Sequence, residues 1–274
     1  MSAQREVFER IAAALERLAP PLAPPQDWSR APGYVWDGER TKAVDPIDAR
    51  PLSTLRGVDD QKAALTANIE RLAKGAAAQD VLLWGTRGMG KSALVRAAVA
   101  HVQSKRPDAL ALVQIENRAL HSVPALLAEL GQVPRSFLLF IDDLGFGADQ
   151  RAETLSLRSL LDGGLSPRPP RVRVAVTSNR RAIVERDASE NDALHERDAR
   201  DDALALADRF GLTLGFHPSD QETYLEILRA YTDPLGLEVD EEEALAWAIA
   251  RGNRSGRTAL QFATELAGRA GLSL

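Results

Sequence analysis

Hydrophobic and polar positions change their period repeatedly along the central part of the chain. Short, almost wholly apolar runs predict buried strands, and between these runs apolar residues recur at helical spacing. The predicted strands cover residues 81–84, 109–115, 137–141, 171–177 and 212–216, and the predicted helices cover residues 61–74, 91–103, 124–130 and 153–161. Strands that alternate with helices in this way indicate an α/β fold, with a parallel sheet covered by helices on both faces.

The pattern changes after the last of these strands, and only helices are predicted from there to the end of the chain. Their predicted bounds are residues 219–231, 240–251 and 256–268. The first helix opens on S-D-Q-E, which has the form of a capping box with Ser219 as the cap. We therefore expect an α/β domain over residues 33–217 and a small, all-helical lid domain over residues 218–274.

Residues 1–32 form a separate N-terminal segment in this interpretation. Apolar residues at helical spacing predict an amphipathic helix over residues 3–18, namely Val7, Ile11, Leu15 and Leu18. A proline-rich linker follows it. The apolar stripe either packs on the chain's own α/β domain or serves as a docking arm. Because large aromatic side chains tend to be buried, Trp28, Tyr34 and Trp36 are expected to anchor this region to the body.

Composition limits the compartment and the chemistry. The chain has 274 residues, a formal net charge of -5 at pH 7 and no cysteine, which excludes disulfides and thiol nucleophiles. Residues 1–10 lack the apolar core of a signal peptide, and no stretch approaches the roughly 18 apolar residues of a membrane span. We therefore expect a cytoplasmic protein. The acidic balance argues against a dedicated nucleic-acid binder.

Two local charge clusters stand apart from this balance. Residues 185–202 are strongly acidic and are expected to form a solvated loop. A basic stripe is formed by Arg168, Arg171, Arg173, Arg180 and Arg181. These arginines are either ordinary solvated surface residues or a contact surface for nucleic acid.

A phosphate-binding loop follows the first strand of the α/β pattern and precedes a helix. Its residues are Gly85, Thr86, Arg87, Gly88, Met89, Gly90, Lys91 and Ser92, a full match to G-x-x-x-x-G-K-[ST]. The glycines let backbone N–H groups point at phosphate oxygens, and the following helix adds the positive end of its dipole. Lys91 is predicted to reach the β- and γ-phosphates of ATP, and the Ser92 hydroxyl to ligate Mg²⁺.

The apolar strand 137–141 ends in two carboxylates, Asp142 and Asp143. Packing does not explain why so apolar a strand should end in paired acids. Asp142 is predicted to hold Mg²⁺ through water, and Asp143 to orient or deprotonate the water that attacks the γ-phosphate. For Asp143, a role in capping the following turn remains an alternative.

Together with these two motifs, further segments resemble the AAA+ ATPases over about residues 50–265. The resemblance implies that Asn179, at the end of A-V-T-S-N, contacts the γ-phosphate or its water as sensor 1. It implies that Arg257, in G-N-R-S-G-R, touches the nucleotide as sensor 2. Gly57 and Val58, in R-G-V-D-D-Q, would line the adenine site.

Arg209, in A-D-R-F, resembles the arginine finger that completes the site of a neighbouring subunit. The alternative is a local ion pair. For Arg257, the resemblance is supported by its place at a helix start, where the dipole disfavours a cation unless an anion is bound.

The closest resemblance is to a bacterial family of single-module AAA+ proteins described as a domain of unknown function. It implies an ATPase that hydrolyses Mg-ATP to remodel or load a macromolecule, most plausibly a protein, and that assembles into a homo-oligomeric ring or open spiral. The Asp142-Asp143 ending departs from the more common Asp-Glu and occurs in replication initiators and helicase loaders. Two alternatives follow, a DNA-associated ATPase and a nucleotide-gated switch with slow turnover.

Overall fold

A seven-stranded sheet forms the centre of the molecule in a computed structural model, which describes residues 5, 7–11, 26–144, 151–162, 167–179 and 206–274. The strands are β1 (Gly33–Trp36), β2 (Thr41–Val44), β3 (Val81–Gly85), β4 (Leu110–Ile115), β5 (Ser136–Ile141), β6 (Val172–Ser178) and β7 (Leu212–Phe216). Their order is β2-β1-β4-β5-β6-β3-β7, and every neighbouring pair except β1 and β2 is parallel. The predicted parallel sheet is confirmed.

The register brings the carboxyl ends of the central strands to one edge. Gly85 at the end of β3 lies opposite Phe216 of β7, and Trp84 lies opposite Ser178 of β6. Ile141 at the end of β5 lies opposite Val176. The loops after β3, β5 and β6 therefore leave the sheet side by side, at the edge where open α/β sheets bind their ligands.

Helices cover both faces of the sheet. They are α1 (Asp59–Ala73), α2 (Lys91–Lys105), α3 (Val123–Leu130) and α4 (Arg151–Asp162). One apolar cluster joins α1 and α2 to Leu138 and Phe140 of β5, and a second joins α3 and α4 to Phe137, Leu139 and Ile141 of the same strand. Since successive side chains of a strand point to opposite faces and both faces are covered, β5 is apolar at every position from Phe137 to Ile141.

The β1–β2 hairpin, which the hydrophobic pattern did not predict, extends the sheet at one edge. Trp28, Tyr34 and Trp36 are buried, which confirms that they anchor this region to the body. The Trp28 and Tyr34 ring centroids are 4.8 Å apart, and the Trp36 indole donates to the Ser122 hydroxyl at 2.8 Å. Tyr34 and Trp36 lie in β1 and not in an extended arm. The strand was not predicted because it is short and pairs with β4, which is distant in the sequence.

Three helices follow the sheet, as predicted: α5 (Gln221–Thr232), α6 (Glu241–Ala250) and α7 (Gly256–Arg269). They share an apolar cluster that includes Tyr224, Leu228 and Phe262. The cap of α5 is Asp220, whose carboxylate accepts the Thr223 N–H at 2.8 Å, so the prediction of Ser219 as the cap was wrong by one residue. Both residue types cap helices well, and the chain uses the acidic one.

The N-terminal segment is described only in part. Residue 5 and residues 7–11 are helical, and Val7, Phe8 and Ile11 are about half exposed or more. Packing of the predicted stripe against the α/β domain is therefore not seen at Val7 and Ile11, while Leu15 and Leu18 lie outside the described residues. The acidic segment 185–202 also lies outside them. Among the residues that the structure describes, no helix has the length and apolar character needed to cross a membrane.

The described members of the basic stripe make contacts within the chain. Arg168 forms an ion pair with Asp80 at 2.5 Å, and both side chains are largely buried. The Arg173 guanidinium donates to the Ala78 carbonyl at 2.6 Å, and that of Arg171 to the Pro134 carbonyl at 3.1 Å. These arginines therefore join β6 and its approach to neighbouring segments, although Arg171 remains exposed. Arg180 and Arg181 lie outside the described residues.

Candidate nucleotide-binding site

A cavity of about 320 Å³ lies where the carboxyl edge of the sheet meets the C-terminal helices. Most of the predicted site residues line it, namely Val58, Arg87, Gly88, Met89, Gly90, Lys91, Ser92, Asp142, Asp143, Asn179 and Arg257. They come from the loop after β3, the ends of β5 and β6, the start of α1 and the start of α7. The fold thus brings together side chains from widely separated parts of the sequence.

The loop between β3 and α2 needs glycine where its backbone turns. Gly85 has φ +122°, and a β-carbon there would lie 2.1 Å from the Phe216 carbonyl oxygen. Gly88 has φ +82°, and a β-carbon there would lie 2.8 Å from the Ser255 hydroxyl. Any side chain at either position would strain the backbone and collide with its neighbour. The glycines therefore let the loop pack tightly between β7 and α7.

Lys91 begins α2 and is buried, with 5% of its surface exposed. Its ammonium group donates to the carbonyl oxygens of Gly85 and Thr86, at 2.8 and 2.9 Å. Gly85 and Thr86 do not line the cavity, but these contacts place their carbonyl oxygens next to the Lys91 amine. The pKa of Lys91 is lowered to about 8, chiefly by burial; Asp143 and Asp142 oppose this shift, and Arg257 adds to it.

Oxygen atoms that suit a hard divalent cation meet beside this lysine. The Ser92 hydroxyl donates to Asp142 Oδ1 at 2.5 Å, which joins the first turn of α2 to the end of β5. The Thr177 hydroxyl of β6 donates to the same carboxylate oxygen at 2.6 Å. A hydroxyl and a carboxylate next to a phosphate-binding loop fit Mg²⁺, which is usually held by one or two carboxylates, substrate phosphates and water.

Asp143 stands one residue further on, with its carboxylate in the cavity. Its φ of +54° makes it the one non-glycine residue with positive φ among those that the structure describes. The Asn179 amide donates to its carboxylate, so the predicted water-orienting acid and the predicted sensor 1 residue are in direct contact. A role as a turn residue and a role toward the ligand are both compatible with this position.

Arg257 lies in the first turn of α7, which Ser255 caps by accepting the Thr258 N–H. The Arg257 N–H donates to the Gly88 carbonyl at 3.1 Å, so the phosphate-binding loop and the C-terminal helices are hydrogen-bonded. The Arg257 side chain lines the same cavity as Lys91. The cavity therefore presents cationic side chains from opposite walls.

The other end of the cavity is apolar. Leu55, Ile227, Tyr231 and Leu260 line it with Val58, and Arg50 lies over the Tyr231 ring at 5.0 Å. Among these residues only Val58 was predicted, from the resemblance, because an apolar pattern marks positions as buried without showing that they share a cavity. Gly57, which was predicted to line the adenine site, is not among the residues that line the cavity; it packs against α5, where a β-carbon would lie 2.3 Å from the Thr223 side chain.

Arg209 does not line this cavity. Its guanidinium pairs with Asp162 at the end of α4, with one N–H···O contact of 3.1 Å. That ion pair is exposed and raises the pKa of Arg209 while lowering that of Asp162. A local ion pair was the alternative to a finger role, although the partner is Asp162 and not the preceding Asp208. An arginine that serves a neighbouring subunit's site would also lie away from its own.

The pKa of Lys91 leads to a testable pH dependence. Bound phosphates favour the charged amine, so ATP binding should take up a proton wherever free Lys91 is neutral. Between about pH 8 and 9.5, we expect the ATP affinity to fall by up to about tenfold per pH unit, and to be nearly flat between pH 7 and 7.5. Calorimetric titration at each pH measures this. In Lys91→Arg, whose side chain stays charged, the slope should vanish, and a flat wild-type profile would contradict the assignment.

Comparison with known proteins yields one family and one fold. The model of the family described as "Protein of unknown function (DUF815)" matches residues 29–270. No curated protein matches the chain. Among solved structures, the RuvB Holliday junction branch migration motor of Thermotoga maritima has a TM-score of 0.51 and 16% identity, over 82% of this chain and 68% of that chain. Aeropyrum pernix Orc1, in complex with DNA, has a TM-score of 0.57 and 16% identity, over 79% of this chain and 61% of that chain.

At this level of identity, similarity to RuvB and Orc1 shows the fold alone. That fold is the one expected from the resemblance, with a mostly parallel sheet, helices on both faces and a C-terminal group of helices. The family match extends from the β1 region to the end of α7. The chain therefore belongs to the family described as "Protein of unknown function (DUF815)", and it has the fold of the AAA+ ATPases.

Proposed function

We propose that this protein is an ATPase that binds Mg-ATP between the sheet edge and the C-terminal helices and hydrolyses it. The observation that carries the proposal is the meeting of four separate sequence motifs in one cavity. Lys91 and Ser92, Asp142 and Asp143, Asn179, and Arg257 come from different elements, and all line the same 320 Å³ space. A phosphate-binding loop alone is shared by many classes of protein, whereas this combination fits nucleotide hydrolysis.

The roles of the residues follow from their chemistry. Lys91 and the N-terminus of α2 would bind the phosphates. Ser92 and Asp142 would hold Mg²⁺, and the ion would supply positive charge beside the phosphate oxygens. Asp143 orients the attacking water and accepts its proton. Asn179 and Arg257 contact the γ-phosphate from the sheet and from α7, respectively. The apolar end, with Tyr231 and its neighbours, encloses the base.

Completion of the site requires a second subunit in this proposal. Arg209 does not line the cavity of its own chain, and it lies just before β7 on the connection from β6. We propose that it reaches the γ-phosphate in a neighbour's site. Such contacts are heterologous, so they generate a ring or an open spiral rather than an isolated two-fold dimer.

The partner on which the ATPase acts is proposed to be a protein. Hydrolysis would change the hydrogen bond between Gly88 and Arg257, and with it the position of the C-terminal helices relative to the sheet. The net charge of -5 gives no general attraction to nucleic acid. Residues 7–11 offer one exposed apolar face on which a protein partner could pack.

A DNA-associated ATPase is the second candidate. Two observations favour it: the Asp142-Asp143 ending, and the similarity in fold to proteins described as a Holliday junction motor and as a DNA complex. The contacts that Arg168, Arg171 and Arg173 make within the chain weaken it. Duplex or single-stranded DNA that stimulates hydrolysis, with binding that weakens steeply as salt rises, would favour this candidate over a protein remodeller.

The direct test is phosphate release from ATP by the full chain with and without Mg²⁺. We expect steady release that needs Mg²⁺ and rises with protein concentration, because subunits complete one another's sites. If single-turnover experiments show tight ATP binding without phosphate release, the protein is a nucleotide-gated switch and not an ATPase. No binding and no release would reject the proposed function.

A further inference from the structure

The backbone of Asp143 is the starting point, because its conformation is unusual for a residue with a side chain. A φ of +54° lies in the left-handed region, which aspartate enters more readily than most residues but still at a cost. Neighbouring groups must therefore hold it there. The Asp143 N–H donates to the Thr177 hydroxyl at 2.8 Å, and the next N–H, that of Leu144, donates to the Thr177 carbonyl at 2.9 Å. Both amides after Asp142 are thus attached to one residue of β6.

The same Thr177 hydroxyl also contacts the other acid. It donates its hydrogen to Asp142 Oδ1 at 2.6 Å while it accepts the Asp143 N–H, so both of its hydrogen-bonding functions are used. Asp142 Oδ1 also accepts the Ser92 hydroxyl. Thr177 is 1% exposed, which removes competition from water. One buried hydroxyl therefore fixes the carboxylate of Asp142 and the backbone of Asp143 together.

We propose that Thr177 is a positioning residue that sets the reach of Asp143 and the orientation of Asp142. The inference rests on the proposed function and deepens it. Aspartate is one methylene shorter than the glutamate found at this position in most AAA+ proteins, so its carboxylate depends more strongly on its backbone. The left-handed turn held by Thr177 brings that carboxylate to the Asn179 amide, inside the cavity. Thr177 thereby joins the sensor strand β6 to the acid that handles water.

Three substitutions separate this role from simple packing. Thr177→Val keeps the size and the β-branch that suit a strand but removes the hydroxyl, and Thr177→Ala removes the hydroxyl without a new methyl group. Thr177→Ser keeps the hydroxyl. We expect kcat for ATP hydrolysis to fall roughly tenfold or more in Thr177→Val and Thr177→Ala, because both buried hydrogen bonds of the hydroxyl are lost. In Thr177→Ser, kcat should stay within about threefold of the wild type.

A second readout does not depend on turnover. Calorimetry with ATP in EDTA should give the same dissociation constant for wild type and Thr177→Val, because Lys91 and the loop are unchanged. Addition of Mg²⁺ should tighten ATP binding less in Thr177→Val than in the wild type, because Asp142 has lost one of the two hydroxyls that orient it. An equal Mg²⁺ effect in both proteins would overturn the part of the proposal that concerns Asp142.

A double-mutant comparison tests whether Thr177 acts through Asp143. In the Asp143→Asn background at saturating Mg²⁺, Thr177→Val should lower kcat by a clearly smaller factor than in the wild-type background, because one of the two groups that it positions is already lost. Equal effects in both backgrounds would overturn the part of the proposal that concerns Asp143, and wild-type kcat in Thr177→Val would overturn the inference; both results leave the proposed function intact. A wild type that neither binds nor hydrolyses ATP would overturn the proposed function, and the inference with it.

Discussion

Asp143→Asn should lower the rate of ATP hydrolysis by about 100-fold or more, the range of a lost acid–base group, while ATP still binds. The substitution keeps the size of the side chain, and asparagine tolerates the left-handed backbone of Asp143 at least as well as aspartate does. It removes the carboxylate that we propose accepts the water's proton. Phosphate release at saturating Mg-ATP measures the effect, and calorimetry measures the remaining binding.

The control for this variant is Asp162→Asn, which makes the same change at an exposed carboxylate outside the cavity. It should leave ATP binding unchanged. If Asp143→Asn turns over at the wild-type rate, Asp143 is only a turn residue, which is the alternative that its positive φ leaves open. Water would then be activated by another group.

Arg209→Ala should abolish the rise of specific activity with protein concentration, and at high concentration it should lower activity by about 10³-fold or more. That range comes from arginine fingers in GTPases, where the guanidinium stabilises charge on the transferred phosphoryl group. ATP affinity should change little, because Arg209 does not line the cavity of its own chain. Phosphate release over a series of protein concentrations measures this.

Two controls distinguish a finger from a local structural residue. Asp162→Asn breaks the same exposed ion pair by changing its other partner. If the pair matters only for structure, Asp162→Asn should lower activity as much as Arg209→Ala does. We expect it to retain activity. Mixing Arg209→Ala with Lys91→Ala should restore some activity, because one subunit then offers an intact pocket and the other an intact arginine. Activity independent of concentration, with no rescue on mixing, would show that the protein works alone.

Sequence patterns predicted the sheet well because each central strand is buried on both faces. Such strands are apolar at nearly every position, as β5 is from Phe137 to Ile141, and they stand out against helical spacing. The β1–β2 hairpin has no such pattern. β2 is largely exposed, and β1 is only four residues long and next to a proline-rich stretch. Its place in the sheet depends on pairing with β4, which no local pattern encodes.

The candidate site likewise has one part that the sequence predicted and one part that it did not. Its phosphate end was predictable, because a short motif such as Gly85 to Ser92 encodes a local backbone path. The apolar end was not, because Leu55 and Tyr231 meet only after the C-terminal helices pack on the sheet. Thr177 lay inside the A-V-T-S-N segment but was hidden as an ordinary strand residue. Its proposed role depends on the contacts of its hydroxyl with Asp142 and Asp143, just after the neighbouring strand β5, and no local sequence pattern shows these contacts.

The charged residues show most clearly which contacts the sequence could not predict. The stripe that contains Arg168, Arg171 and Arg173 suggested solvent or nucleic acid, yet each arginine meets a partner that is distant in sequence. Likewise, the partner of Arg209 is Asp162 and not the adjacent acid. Long, flexible side chains find partners through the tertiary fold, so sequence neighbours predict their contacts poorly.

The most direct test of the account is a calorimetric titration of ATP with Mg²⁺ into wild type, Lys91→Ala and Lys105→Ala. The last variant loses the same side chain at the far, exposed end of α2 and serves as the matched control. We expect wild type and Lys105→Ala to bind with equal affinity, and Lys91→Ala to bind at least about tenfold more weakly, a loss of about 1.4 kcal/mol or more. Equal affinity in all three proteins would contradict the assignment of the cavity as the ATP site.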